Sequence, residues 1–171
     1  MDKEIENLWP ENFDCDYDNS FFPEKILKEQ CKYLENKTNA KVYAEVIENT
    51  NRYYDPKFKV ISQFIKFKED YVHSLIIGSK LDTRISYEIF TISHNYKIYP
   101  LKIRINNSQL NSQLDRYKDN FNCSKKDDGF GEYWVIQKEN DFIEILKFIL
   151  QSNIMKLYIH KLMGIQEQKS S

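Results

Sequence analysis

Glycine is scarce in this chain, and its scarcity excludes more than any motif that is present. Only Gly78, Gly129, Gly131 and Gly164 occur in 171 residues, whereas phosphate cradles need close backbone approach and positive φ. There is no G-x-G-x-x-G and no G-x-x-x-x-G-K-[ST] run, which argues against a dinucleotide-binding fold and a P-loop NTPase. Cysteine is nearly as rare. Cys15, Cys31 and Cys123 are an odd number, and their separations of 16 and 92 residues match neither a zinc pattern nor a redox pair. They read as free thiols in a reducing cytoplasm. Long apolar runs are missing too. Ile145 to Leu150 is interrupted by Lys147 and falls far short of a membrane span. The acidic start Met1-Asp2-Lys3-Glu4 has no apolar stretch that would suit a signal peptide. The expectation is a soluble cytoplasmic protein without membrane contact.

What is abundant must be discounted before it is used. The chain holds 20 Ile, 21 Lys, 15 Asn and 12 Tyr against 2 Ala and 4 Arg, the bias of an AT-rich coding sequence, so a lysine cluster or a surface tyrosine carries less weight than usual. A chain of this length buries roughly 70% of the surface its unfolded form exposes and needs no disulfide or metal to hold a core. Its formal net charge of −1 is unevenly placed. Residues 1–22 contain seven acids and one lysine, a net of −6, so residues 23–171 sum to +5. Segment 57–104 holds nine Lys or Arg and four Asp or Glu. The organisation expected is therefore an acidic arm over 1–22 followed by one domain over 23–171.

Periodicity supplies the elements. Pro23 suits the first turn of a helix and Glu24 favours its positive end. Ile26, Leu27, Gln30, Cys31 and Leu34 then keep to one stripe, and the helix should stop near Lys37-Thr38-Asn39. Alternation of period two follows at 42–46, 59–68, 72–78, 85–94 and 99–105. The links between them are short, so neighbours should be antiparallel. In the last of these Leu101, Ile103 and Ile105 face one way and Lys102 and Arg104 the other, the signature of a sheet covered on one side. Segment 85–94 is apolar on both faces, which suits a central strand.

Residues 106–131 form an excursion. Ser108 is placed to cap a short helix through Leu110, Leu114, Tyr117 and Phe121, and 123–131 reads as a mobile loop. A sixth strand returns at 132–137. Asn140 should cap a helix with the stripe Phe142, Ile145, Leu146, Ile149 and Leu150, and Ser152-Asn153 a second one that Gly164 ends. The fold class expected is α+β: an N-terminal helix, an antiparallel five- to six-stranded meander sheet, and two C-terminal helices packed on one sheet face.

Leu8-Trp9-Pro10, Pro23-x-x-Ile26-Leu27-x-x-Gln30, Tyr87-x-x-Phe90-x-x-Ser93-His94 and Tyr99-Pro100 together resemble a family of small uncharacterised bacterial proteins over most of the chain. The resemblance implies a bacterial cytosolic setting and no activity.

Catalytic constellations are poorly represented. Among His73, His94 and His160, the first two fall in neighbouring strands that antiparallel pairing can bring together, the beginning of a metal or acid/base site with no third ligand at a recognisable spacing. Asp82, Glu88 and Lys102 lie on different strands, and no spacing gathers them into a magnesium site. Cys123 has Lys125 and Lys126 nearby, which would depress its pKa, but no histidine follows until His160. No cofactor and no catalytic residue is assigned. The remaining reading is a non-enzymatic protein-interaction module of the immunity, inhibitor, chaperone or accessory-subunit type. It would bind through an outer sheet face and edge bearing Tyr71, Tyr87, Tyr99, Arg84, Lys102 and Arg104. An exposed edge strand would also permit a homo-oligomer.

Two alternatives stand beside that reading. One is single-stranded nucleic-acid binding by the same aromatics and cations together with Phe90, Tyr96, Lys66, Lys68 and Lys97. Against it stands a pI near 6.3, where such domains typically exceed about 9. The other, with less in its favour, is a small metal-dependent hydrolase built on His73 and His94.

Overall fold

The computed structural model describes residues 22–48 and 69–169. The acidic arm up to residue 21, Cys15 and the strand expected at 59–68 lie outside these residues. In chain order the elements are α1 (Pro23–Lys37), β1 (Val42–Glu48), β2 (Tyr71–Ser79), β3 (Ser86–His94), β4 (Leu101–Ile105), α2 (Ser108–Tyr117), β5 (Cys123–Asp127), β6 (Glu132–Ile136), α3 (Glu139–Leu150) and α4 (Asn153–Lys169). A turn of 3₁₀ helix, Lys118–Asn120, follows α2. This is the α+β class expected, with the N-terminal helix, the antiparallel sheet and the paired C-terminal helices in that order.

The six strands form one antiparallel sheet in the order β1-β2-β3-β4-β6-β5. Four strands follow the chain. The excursion then carries α2 past β6, so β5 becomes the edge and β6 fills the place beside β4. Strand β3 is central, in agreement with its two apolar faces, and Ile89 bulges where the β2–β3 register shifts between Leu75 and Ile76. The link from β2 to β3 is built on Asp82, whose carboxylate accepts from the Arg84 amide and whose carbonyl accepts from the Ile85 amide. The peptide bond Tyr99-Pro100, between β3 and β4, is cis.

Pairing fixes the faces. Val42, Ala44, Leu75, Ile77, Phe90, Ile92, Leu101, Ile103, Ile105, Trp134 and Ile136 all point to one side. There they join Leu27 of α1, Leu110 and Leu114 of α2, Phe142, Ile145 and Ile149 of α3 and Met155 and Leu162 of α4 in a single core cluster. All four helices therefore lie on one face of the sheet.

Several expectations are corrected. Residues 123–127 are a strand and not a loop: Cys123-Ser124-Lys125-Lys126-Asp127 pairs with all of β6. An edge strand next to solvent needs little apolar content and favours lysine, so its sequence does not look like a strand. Its hairpin turn explains two of the four glycines. Gly129 (φ 84°) and Gly131 (φ 124°) take positive φ, while the Asp127 and Asp128 carboxylates accept from the Gly129 and Phe130 amides. Asn107, not Ser108, caps α2 by accepting from the Leu110 amide at 2.8 Å. Helix α3 begins at Glu139, with Lys138 and not Asn140 in the cap position. Ser152 caps α4 as expected, accepting from Met155 N, but the helix runs through Gly164 to Lys169.

Candidate functional site

Three surfaces compete for function, and they differ in whether their polar groups already have partners. On the outer face, opposite the helices, Val72, Ser74, Ile76, Thr91 and Ser93 are each at most 7% exposed, so the centre of this face is not an open recognition surface. Its polar groups are joined to one another. The Ser74 hydroxyl donates to the Glu88 carboxylate at 2.6 Å and lies 2.9 Å from Thr91 Oγ1, which in turn donates to Glu88 at 3.0 Å. Towards β6, Lys102 and Arg104 flank the Tyr133 ring at 5.1 and 5.7 Å. Both cations are neutralised within the chain: Lys102 by Glu69, and Arg104 by a two-pronged contact with Asp128 at 2.9 and 3.1 Å.

The other residues expected on this surface are elsewhere. Tyr71 and Tyr87 stand on the helix-bearing face, where Tyr71 stacks on His94 and Tyr87 on Tyr158 of α4 at 4.3 Å between ring centres. Tyr158 also accepts from the Asn107 side chain, which ties α2 to α4. Arg84 is exposed in the β2–β3 turn and grips Asp82 through two bonds of 2.9 Å. The Tyr99 hydroxyl is buried without a partner, and burial pushes its pKa well above that of an ordinary phenol. The structure therefore joins Lys102 to Arg104 but does not gather the six residues on one surface. Lys66 and Lys68 lie outside the described residues.

The second surface is the histidine pair. Antiparallel pairing does bring His73 and His94 together, with ring centres 6.3 Å apart. His94 Nδ1 lies 2.8 Å from the Asn95 carbonyl, to which it donates. His73 is 3% exposed, its Nδ1 has no partner and its Nε2 is 4.0 Å from the Glu24 carboxylate of α1. Burial lowers the His73 pKa more than the Glu24 charge raises it. Among the described residues no group of three or more His, Cys, Asp or Glu is arranged to hold a metal. The pair is buried and joins the β2–β3 end to α1 through His73 and Glu24. His160 is exposed on α4.

The remaining catalytic candidates separate. Glu88 and Ser93, the strand partner of Lys102, are five residues apart on β3, about 16 Å of strand. Asp82 is occupied by Arg84. The Cys123 thiol is pushed up to about 11, chiefly by burial, and not down by lysines. Lys125 on the same face is held by Asp115 and Glu132, and Lys126 points to the other side. Cys31 is likewise raised to about 11 by burial, in line with its place on the buried stripe of α1.

The third surface was not foreseen. An open groove of about 600 Å³ runs along the helix-bearing side between α1 and the corner where α3 meets α4. Its floor is Ala44, Leu75 and Ile77, and its lips carry Tyr33 and Ile143, which are 58% and 38% exposed. The described lining residues include Lys37, Lys147 and Lys156 and no Asp or Glu. None of these three lysines has an ion-pair partner among the described residues. Lys28, Lys32, Lys80, Lys102, Lys118 and Lys125 do, while Lys25, Lys97, Lys126, Lys138 and Lys161 share with the groove lysines the lack of an ion pair among the described residues. One signal in the sequence pointed here. Ile143 lies three and seven residues before Leu146 and Leu150, so the apolar face of α3 is wider than the part that the core buries.

Comparison with family models, with curated proteins and with solved structures yields no match. No helix among the described residues is long and apolar enough to cross a membrane.

Proposed function

We propose that this protein is a non-enzymatic protein-interaction module, of the immunity, inhibitor, chaperone or accessory-subunit type, working in a bacterial cytoplasm. The observation that carries the reading is the groove between α1 and the α3–α4 corner, an open apolar channel with exposed Tyr33 and Ile143 on its lips. Exposed aromatic and aliphatic anchors around a concave apolar floor are what a protein partner buries. The outer sheet face and its edge supply a second, weaker contact region. Its best-placed cations, Lys102 and Arg104, already have carboxylate partners, which also removes charge from the nucleic-acid alternative.

A photo-crosslinking amino acid at Tyr33, compared with the same residue at Tyr133 on the outer face, tests this in native-host cells. The expected result is a discrete protein adduct from position 33 that disappears when Ile143→Asp is added. Adducts from position 133 alone would move the interface to the outer face. Nucleic acid in the adduct from either position would replace the reading with the nucleic-acid one.

A further inference from the structure

We propose that the groove receives an acidic amphipathic helix from the partner protein; this rests on the interaction reading above and adds the partner's shape and charge. The shape follows from what surrounds the space. The walls are helices, α1 on one side and the α3–α4 corner on the other, and the floor is the face of paired strands β1 and β2. Adding a strand requires an unpaired sheet edge, and a sheet face offers none. A helix laid on that floor would occupy a place in the helical layer that the described residues leave open. α1 lines the groove from Ile26 to Lys37, a wall of about 17 Å, which matches a guest helix of about three turns. A small apolar ligand is the poorer fit, because such ligands are largely enclosed by their pockets, while this channel is open along its length with Tyr33 and Ile143 at its mouth.

The charge follows from the lysines. Lys37 and Lys147 sit in the last turns of α1 and α3, where the helix dipole alone accounts for a cation. Lys156 is different. It lies in the opening turns of α4, a helix with no acid in its first turn, so its charge opposes the dipole and nothing described here offsets it. Anionic side chains flanking the apolar stripe of a docked helix would meet Lys37, Lys147 and Lys156 from three sides and satisfy the α4 terminus as well. With no carboxylate among the described lining residues, the charged groups that a docked helix would touch directly are the three lysines, and these favour acidic over basic flanks.

The test uses the full-length protein and two fluorescent helical peptides of about 16 residues. Both carry Leu at i, i+3, i+4 and i+7; one has Glu at the flanking positions and the other Lys. Fluorescence anisotropy at physiological salt should show the acidic peptide binding at least about tenfold tighter than the basic one, about 1.4 kcal/mol. The triple variant Lys37→Glu, Lys147→Glu, Lys156→Glu should reverse the order, and because all three side chains are exposed, its thermal midpoint should stay close to that of the parent. Ile143→Asp should abolish binding of either peptide. If the basic peptide binds as well as the acidic one and Ile143→Asp still abolishes both, the charge assignment is overturned and the groove remains the interface. If neither peptide binds while crosslinking from position 33 still captures a protein, the helical occupant is overturned. If both experiments fail, the interaction reading falls with it.

Discussion

The two faces of the sheet solve opposite problems with the same strands. On the helix-bearing face, consecutive odd or even positions are large and apolar, and their burial is driven by area, at ~25 cal/mol per Å² removed from water. On the outer face small or polar positions, Ser74, Gly78, Thr91 and Ser93, stand beside Val72 and Ile76, and they are buried almost as completely. Burial there has to be accompanied by hydrogen bonds, since an unpaired hydroxyl or carboxylate away from water costs a few kcal/mol. The Ser74, Glu88 and Thr91 cluster meets that demand. One face is thus held by shape and the other by polar pairing. What distinguishes the groove from both is that apolar anchors and cations stand together at an open surface, Tyr33 and Ile143 beside Lys37, Lys147 and Lys156.

The sharpest way to break this contrast is to cut one residue on each side of the same stretch of β3. Phe90 is fully buried in the core cluster, and Phe90→Ala should cost about 3–5 kcal/mol by lost transfer energy and cavity formation. Its neighbour Thr91 points the other way. Thr91→Val preserves shape and removes one donor from Glu88, so it should cost only about 1–2 kcal/mol. Urea unfolding of the two variants decides the matter; equal losses would mean that the outer face is packed like a core. Close packing does occur at one point there. The Tyr43 ring lies over Gly78, and a Cβ at position 78 would stand 2.4 Å from it, so Gly78→Ala should cost about 1–2 kcal/mol. Tyr43→Ala in the same chain should remove most of that penalty, as a double-mutant cycle will show.

How much of this was legible in the sequence depends on which signal each element carries. The run Leu101-Lys102-Ile103-Arg104-Ile105 displays its two faces in plain alternation, and the structure buries the first set and leaves the second half-buried. Strand β5 was not legible, because an edge strand rich in lysine has no apolar alternation to read. For His73 and His94 antiparallel pairing made a meeting possible without fixing it, and the structure sets their ring centres 6.3 Å apart. Tyr71 and Tyr87 were assigned to the wrong face, because a bulge at Ile89 and stacking on His94 and Tyr158 are tertiary facts. The groove as a space was not legible for the same reason, although Ile143 on its lip was. It exists only because α1 and the α3–α4 corner stand apart on the sheet, and no periodicity within one element encodes the distance between two.

Acidity probes the comparison from a third direction, because the helix-bearing face contains one group that cannot charge freely. His73 has its folded pKa lowered from an ordinary value of 6.5, by burial first. Below the unfolded value the unfolded chain takes up a proton that the folded chain refuses. Stability is therefore full above about pH 6.5 and declines as pH falls towards the lowered folded value, with a slope no steeper than ~1.4 kcal/mol per pH unit. Glu24, whose pKa is lowered chiefly by the Lys28 contact, acts in the same direction but only below its ordinary value of 4.5. Urea midpoints between pH 7.5 and 5.5 should fall in the parent and flatten in His73→Gln. A slope that survives the substitution would assign the acid sensitivity to another group.

The smallest effect is the most informative about function. Lys102→Gln and Arg104→Gln each remove a cation that Glu69 or Asp128 already neutralises, so on stability each should cost about 1 kcal/mol or less. Arg104 should lie at the upper end, since its side chain is only 15% exposed and one of its nitrogens, Nη1, is already buried without a partner. On binding, neither variant should change the affinity for the peptides that discriminate the groove, whereas Lys156→Glu should weaken the acidic one several-fold. That pattern would mean that the cations of the outer face belong to the fold and those of the groove to the partner. Equal losses from Lys102→Gln and Lys156→Glu in the same titration would erase the distinction, because charge that is paired in the free protein would then be engaged as readily as charge that is not.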